Sequence, residues 1–186
     1  MTAGSADRAG DAPGRIFDEL LVMQVCLGDR RAGERLAARW HPRLMRTARR
    51  LLGEEELALG AVQDAWVSIL KGIGTLRDPA RFAPWAFGIL RRRCADAIRR
   101  AGTRRQREAQ AEPPERAENP RAEDGLALRQ AFAALPAGQR LAAHLFYVEG
   151  LTLGEIAIAA DIPPGTAKSR LFHARLRLKA ALKGEE

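Results

Sequence analysis

Cysteine and histidine are scarce in this chain, and it has no long apolar segment that could anchor it in a membrane. Its 186 residues include only two cysteines, Cys26 and Cys94, which lie far apart and form no CxxC pair. No apolar run approaches the roughly 20 residues that span a bilayer, and the N-terminus has no apolar secretory segment. We therefore expect two reduced cysteines in the core, no metal, no cofactor, no membrane insertion and a cytoplasmic protein.

Groups that act together in catalysis are also missing. The three histidines, His41, His144 and His173, are scattered along the chain. No carboxylate pair or cluster with metal-ligand spacing accompanies them, although an active site needs such groups close together. We therefore expect that the protein is not an enzyme.

The sequence further lacks the alternation of apolar and polar residues that is typical of β-strands. Apolar residues recur instead at helical spacing, and an apolar content of 46% is sufficient for a packed core. Proline removes a backbone donor, so we expect Pro42 to interrupt the helical stripe that contains Trp40. The pattern as a whole predicts an all-α fold.

A change of composition divides the chain into two small helical domains. Residues 101–122 contain three prolines, mixed charge and no large apolar residue, which predicts a flexible linker. Residues 1–15 are rich in glycine, alanine and aspartate, and we expect them to form a disordered tail. The predicted domains are therefore residues 16–100 and 123–186.

The stretch from residue 151 to 183 predicts two helices joined by a tight turn. Thr152 and Glu155 have the spacing of a capping box, and Pro163 favours a break before a second helix. No acidic residue occurs between Ile162 and Gly184, and hydroxyl groups lie near the start of the second helix. This combination is typical of a helix-turn-helix DNA reader. The alternative is an ordinary helical hairpin with a solvated basic face.

Positive charge is concentrated rather than evenly spread. The net charge is +8, which favours a polyanionic partner, and nucleic acid in particular. A second basic cluster follows the aromatic residues Phe82, Trp85 and Phe87, and it consists of Arg91, Arg92, Arg93, Arg99 and Arg100. Rings can stack on unpaired bases while arginines hold phosphate, so this cluster favours single-stranded nucleic acid. The alternative is a solvated helix end, where cations also suit the helix dipole.

Several motifs together resemble those of the extracytoplasmic-function (ECF) RNA polymerase sigma factors, within the sigma-70 family. The run EG-L-T-x-x-EIA followed by P-x-GT-x-KSRL-x-x-AR is similar to region 4 of that family. ARRLLG, AVQDAW and FAPWAFGILRRRCADAIRR are similar to its region 2. The resemblance covers residues 18–100 and 124–182, and implies a bacterial protein that directs core RNA polymerase to promoters.

The resemblance also implies roles for particular residues. The −35 element would be read in the major groove by the second helix of the helix-turn-helix, through Thr166, Lys168, Ser169, Arg170, Phe172, His173 and Arg177. The melted −10 strand would be held by Trp85, Arg91, Arg92, Arg93, Asp96, Arg99 and Arg100. Core polymerase would be bound, mainly at its β′ clamp helices and also at its β flap, with Gln63, Asp64 and Trp66 on the β′ contact.

Two positions depart from the family's pattern. Gly60 stands where the family commonly has an acidic residue, and glycine also weakens the helix. Arg92 stands where asparagine is often found, which affects the −10 preference. The resemblance also implies an anti-sigma factor as a partner. The alternative function is a helix-turn-helix transcription regulator that never engages core polymerase.

Overall fold

The computed structural model describes residues 12–108 and 126–183, here called the N-terminal and C-terminal halves. Every regular element within these ranges is helical, which confirms the all-α prediction. The α-helices are α1 (Ala12–Cys26), α2 (Arg30–Leu52), α3 (Glu55–Gly72), α4 (Phe82–Glu108), α5 (Leu126–Ala133), α6 (Ala137–Tyr147), α7 (Leu153–Ala160) and α8 (Pro164–Lys183). Two 3-10 turns, Ile73–Thr75 and Pro79–Arg81, connect α3 to α4.

Local sequence signals explain most of the helix ends. The Asp29 carboxylate accepts hydrogen bonds from the backbone N–H groups of Arg31 and Ala32, which starts α2. Gly53 ends the same helix with a φ of 76°, a left-handed conformation that favours glycine. The expected break at Pro42 is wrong, because α2 runs through it without interruption. A proline costs one backbone hydrogen bond, and the continuous buried stripe on both sides of it outweighs that loss.

Two predicted boundaries also shift. Helix α1 begins at Ala12, so the last four residues of the predicted tail are helical. Helix α4 continues to Glu108, so residues 101–108 of the predicted linker are helical as well. That segment contains no proline and several strong helix formers, which lets a helix that is already packed extend. The remaining parts of the tail (residues 1–11) and linker (residues 109–122) lie outside the described residues.

One hydrophobic core runs through both halves. Trp40 lies near its centre, with its ring edge-on to Phe82 at 4.9 Å between centroids and 5.7 Å from Phe87. Leu145 of α6 and Ile156 of α7 are fully buried in the same cluster. A smaller cluster holds α5, α6 and α8 together, and its buried members are Ala131, Phe132, Leu135, Ala143, Ala174 and Leu178. The two predicted domains are therefore packed on each other.

The halves approach each other closely where α4 meets α7. A Cβ atom at Gly88 of α4 would lie 3.5 Å from the Ala159 carbonyl oxygen of α7, so the two backbones nearly touch. Cys94, further along α4, is buried as expected. The expectation that Cys26 is also buried in the core is wrong. It is exposed at the end of α1, where its thiol donates to the Ile73 carbonyl at 3.4 Å. No helix in the two described ranges is long and apolar enough to cross a membrane.

Candidate nucleic-acid interface

Helices α7 and α8 form the predicted helix-turn-helix. The Thr152 backbone N–H donates to the Glu155 carboxylate at 2.7 Å, and the Glu155 N–H donates to the Thr152 hydroxyl at 3.3 Å. This is the reciprocal capping box that the spacing predicts. Asp161 ends α7 in the left-handed region with a φ of 54°. Pro164 then begins α8, where its missing N–H costs nothing.

Helix α8 presents a cationic face to solvent. Its inward side is fixed by Ala167, Ala174 and Leu178, which are buried. Five of the residues predicted for the −35 element lie on the exposed side: Lys168, Ser169, Phe172, His173 and Arg177. Phe172 is 57% exposed, and its ring meets that of His173 edge-on at 5.5 Å. An exposed aromatic ring among cations and hydroxyls is suited to contact with base edges and phosphates.

Two of the predicted −35 residues are less accessible. Thr166 is half-buried, and its carbonyl accepts a hydrogen bond from the Ser169 hydroxyl at 3.1 Å. Arg170 is also half-buried, and its guanidinium lies flat against the start of α6. A Cβ atom at Gly138 would lie only 3.0 Å from the Arg170 Cζ, so the absence of a side chain there makes room for the arginine. To reach a base, Arg170 must leave this position.

The aromatic residues before the arginine run are mainly packing groups. Phe82 and Phe87 are buried in the shared core and cannot stack on bases without unfolding. Trp85 is half-buried, 6.0 Å from the Phe82 ring, and it fills the space above Gly72, where a Cβ atom would lie 3.1 Å from the indole. Of these three rings, only Trp85 has an edge available to a ligand.

The arginines of α4 have partners in the C-terminal half, on α3 and within α4 itself. Arg91 donates to the Ala159 carbonyl at 3.2 Å and lies 3.8 Å from the Asp161 carboxylate, both in the C-terminal half. Arg93 donates to the Ser68 hydroxyl at 2.9 Å. Asp96 accepts from Arg93 at 3.3 Å and forms a short ion pair with Arg99. Arg92 is exposed, and Arg100 pairs with Asp64 of α3 at 3.1 Å.

Helix α3 carries the residues predicted to contact polymerase. Gln63 is exposed, and Asp64 is half-buried because Arg100 covers it. Trp66 points away from Asp64, which lies two residues earlier on the helix, and lines an open groove of about 760 Å³ between α1, α2 and α3. Leu70 also lines this groove and is exposed to solvent beside it. Asp64 and Trp66 therefore belong to different surfaces, one polar and one apolar.

A buried ion cluster was not predicted from the sequence. The Glu149 side chain has no solvent exposure, and it accepts hydrogen bonds from Arg43 at 2.9 Å and Arg46 at 2.8 Å. His144 lies 3.5 Å from the same carboxylate and shares a 3.0 Å hydrogen bond with Thr47. A glutamate between an apolar helix and a glycine turn gives no sequence signal for burial, because its two arginine partners lie about 100 residues earlier.

The environment of Glu149 sets its charge. Burial alone would raise the pKa of Glu149. Hydrogen bonds from His144 and Arg43, together with the charges of Arg43 and Arg46, outweigh burial and hold that pKa below its ordinary value of 4.5. The carboxylate is therefore charged at neutral pH, and it balances two arginines at the boundary between the halves.

Comparison with known proteins identifies the architecture. The family models for sigma-70 region 2 and sigma-70 region 4 match residues 36–104 and 125–178. The ECF RNA polymerase sigma factor SigM of Mycobacterium tuberculosis is 33% identical over 164 residues, which cover 88% of this chain and 83% of that protein. This chain belongs to the ECF sigma factors. The ECF RNA polymerase sigma-E factor of Escherichia coli is 26% identical, over 87% of this chain and 92% of that protein.

Two solved structures are similar to this sigma factor along most of its length. The sigma factor RpoE of Bartonella quintana, solved with the anti-sigma factor NepR, matches with a TM-score of 0.69 at 25% identity, over 82% of this chain and 98% of that one. CnrH, solved with the cytosolic domain of CnrY, matches in fold with a TM-score of 0.67 at 24% identity, over 91% of this chain and 99% of that one. The alternative of a regulator that never engages polymerase is not favoured, because such a protein needs no region 2.

Proposed function

We propose that this sigma factor joins core RNA polymerase and directs it to promoters that carry the particular −35 and −10 elements it recognises. The exposed cationic face of α8 is the observation that carries this proposal. Five side chains with hydrogen-bonding, charged or aromatic groups lie together there, on the second helix of the helix-turn-helix, and that helix has no acidic residue. Such a helix fits the major groove, where base edges are read.

Each side chain of α8 has a role suited to its chemistry. Lys168 can donate to guanine, Phe172 can touch a thymine methyl group, and Ser169 and Thr166 can hold phosphate. His173 lies beside Phe172 and can add a polar contact at the same level of the groove. Arg177 lies about two turns beyond Arg170, where a straight helix leaves the groove and passes the backbone.

The melted −10 strand would pass along α4. Arg92 and Arg99 are exposed, and Arg91, Arg93 and Arg100 can exchange their protein partners for phosphates. Asp96 would orient its two neighbouring arginines rather than bind DNA itself, because a carboxylate repels phosphate. Trp85 offers one indole edge for an extruded base.

The α3 face would dock on polymerase, with Gln63 and Asp64 on the β′ clamp helices and Trp66 supporting the adjoining groove. The C-terminal half would meet the β flap. An anti-sigma factor would bind the protein, as NepR does RpoE of Bartonella quintana in the related structure. The protein would act in the bacterial cytoplasm, with no cofactor and no catalytic role of its own.

The experiment is transcription by core polymerase reconstituted with this protein, with the 5′ ends of the products mapped on fragmented genomic DNA. Two variants of α8 make the test specific, Arg170→Ala and Arg177→Ala. Removing a base contact at Arg170 costs about 1–3 kcal/mol and relaxes preference at one −35 position. Removing a phosphate contact at Arg177 weakens all sequences alike and lowers the salt slope by about one unit.

The two variants control for each other, because both remove one arginine from the same helix. Unchanged base preference in Arg170→Ala would mean that the arginine keeps its position over Gly138 and only supports the fold. Transcripts that start at the same sites with and without this protein would contradict the proposed function itself.

A further inference from the structure

The guanidinium of Arg170 packs on Gly138, in the first turn of α6. A Cβ atom at Gly138 would lie 3.0 Å from both Cζ and Nη1 of Arg170, and 3.2 Å from its Nε. Non-bonded heavy atoms are normally about 3.5–4.0 Å apart, so these contacts are too short for a side chain at position 138. The contacting atoms are the far end of a flexible side chain. The guanidinium, rather than the backbone, would therefore move.

The contact with Gly138 holds the guanidinium by packing alone. A guanidinium has five N–H donors, yet no hydrogen bond or ion pair joins Arg170 to another residue within 12–108 and 126–183. Gly138 is the second residue of α6, where the helix dipole is positive and disfavours a cation. Leaving Gly138 therefore costs the guanidinium some van der Waals contact but no hydrogen bond.

The same side chain can reach the proposed DNA surface without a change of backbone. His173 and Arg177 follow Arg170 at three and seven positions, so they share its side of α8. Both are exposed, whereas Arg170 is half-buried at the border of the inward side of the helix. A rotation about side-chain bonds therefore takes the guanidinium from Gly138 to the row of His173 and Arg177.

We propose that Gly138 sets how strictly one −35 base pair is read, by giving Arg170 a resting place away from the DNA. Where the base pair offers acceptors, such as the O6 and N7 atoms of guanine, Arg170 leaves Gly138 and donates to them. Where it offers none, Arg170 stays on Gly138, so no guanidinium is left unpaired in the groove. Gly138 is thus a positioning residue that contacts no DNA itself. This inference rests on the proposed function, since it concerns the arginine proposed to read a base.

The resting place lowers discrimination between base pairs in two ways. A binding-competent conformation that is only partly populated lowers the apparent affinity for its ligand, which here is the matching base pair. The resting place also relieves the penalty at a mismatched base pair, because the arginine can withdraw. Filling the space at position 138 should therefore make the protein stricter. A damaged DNA-binding domain would show the opposite, a loss of discrimination.

Gly138→Ala fills the space, and the chain offers a closely matched control. Gly154 is the second residue of α7, as Gly138 is of α6, and a Cβ atom at Gly154 would meet nothing within 4 Å. Both substitutions replace glycine by alanine in the first turn of a helix, so both gain helix propensity. Only Gly138→Ala displaces Arg170. Urea unfolding checks that both variants are folded.

The first measurement follows Arg170 in the absence of DNA and polymerase. An arginine-specific dicarbonyl reagent labels accessible guanidinium groups, and mass spectrometry of the peptides gives the labelling rate of Arg170 relative to the exposed Arg177. We expect Gly138→Ala to raise this ratio by about 3-fold or more over the natural chain, and Gly154→Ala to leave it unchanged. Equal ratios in all three proteins would overturn the resting place.

The second measurement is binding of holoenzyme, reconstituted with each variant, to promoter fragments in which each −35 base pair is changed in turn. We expect Gly138→Ala to raise the ratio of affinities for the matched and the changed base pair by about 3-fold or more at one position. The double variant Gly138→Ala, Arg170→Ala should behave as Arg170→Ala alone, because Gly138 acts only through that arginine. An unchanged ratio would contradict the proposal, as would a change that persists without Arg170.

The two measurements separate failure of this inference from failure of the proposed function. If the protein does not direct transcription, promoter-specific transcripts are absent, while the labelling ratio on the free chain still reports on Gly138. If the protein directs transcription and neither ratio changes in Gly138→Ala, the inference alone is wrong.

Discussion

At the scale of single residues, the protein places its charges in two kinds of environment. Arg49 and Glu55 form an exposed pair, and such pairs contribute little to stability because water screens them. Glu149 is fully enclosed, and its two arginines must compensate for its lost hydration. A buried carboxylate with two arginine partners is costly to disrupt on one side, so this cluster fixes where the C-terminal half sits.

The lowered pKa of Glu149 leads to a prediction on pH dependence. A carboxylate with a folded pKa below 4.5 contributes stability that is present above that value and is lost as pH falls through the folded pKa. We expect urea unfolding to show the natural chain losing up to about 1.4 kcal/mol per pH unit more than Glu149→Gln between pH 5 and pH 3. If both proteins lose the same unfolding free energy per pH unit, the Glu149 carboxylate is not stabilised by its partners.

The two cysteines should differ sharply in reactivity. Burial raises the pKa of the Cys94 thiol to about 12, so almost no thiolate forms at pH 8, whereas Cys26 is exposed. We expect a chromogenic disulfide reagent to modify one thiol quickly in the folded chain and two in urea. The variant Cys26→Ser should remove the fast reaction, and persistence of that reaction would show that Cys94 is accessible.

At the scale of helices, the sequence predicts that a helix is present better than it predicts where that helix begins and ends. The capping box of Thr152 and Glu155 was predictable because all of its hydrogen bonds are local. Pro42 misled the prediction because tertiary packing, which a sequence pattern does not contain, keeps α2 continuous. The expectation that Phe82 and Phe87 stack on bases was wrong for the same reason, because aromatic residues at helical spacing serve a core as well as a nucleic-acid surface, and both rings are buried.

The departure at Gly60 can be tested within its helix. Gly60 lies in the middle of α3, and a Cβ atom there would meet nothing within 4 Å. We expect Gly60→Ala to raise the free energy of unfolding by about 0.8–1.0 kcal/mol in thermal or urea denaturation. Gly53→Ala is the control, since it also has open space but has a φ of 76°, and it should destabilise the protein. If Gly60→Ala leaves the free energy of unfolding unchanged, packing alone and not helix propensity stabilises α3.

At the scale of the whole molecule, the two-part organisation was readable from composition, and the packing between the parts was not. The arginines and acids that meet across the halves are separated by about 70 to 140 residues, and charged residues in a basic chain look solvated until their partners are known. Likewise, Arg170 looked like a base-reading residue because nothing in the sequence links it to Gly138. Local patterns therefore identified the candidate surfaces, while long-range contacts decide which side chains are free to act.

The shared core leads to a prediction about separated halves. A specific protease site inserted within residues 109–122 allows the chain to be cut without touching a described helix. Because Leu145 and Ile156 of one half are buried in the same cluster as Phe87 and Leu90 of the other, we expect the cut halves to elute together in gel filtration. They should stay together in 0.5 M salt, since apolar burial is not screened and Glu149 is enclosed. The same cut in a chain with Glu149→Gln should release the halves, because the largely buried guanidinium of Arg43 then lacks its carboxylate, and that cost offsets the apolar contact. Separation of the natural halves at low salt would mean that the linker alone holds them near each other, whereas co-elution of both proteins would assign the association to the apolar core and not to the Glu149 ion pairs.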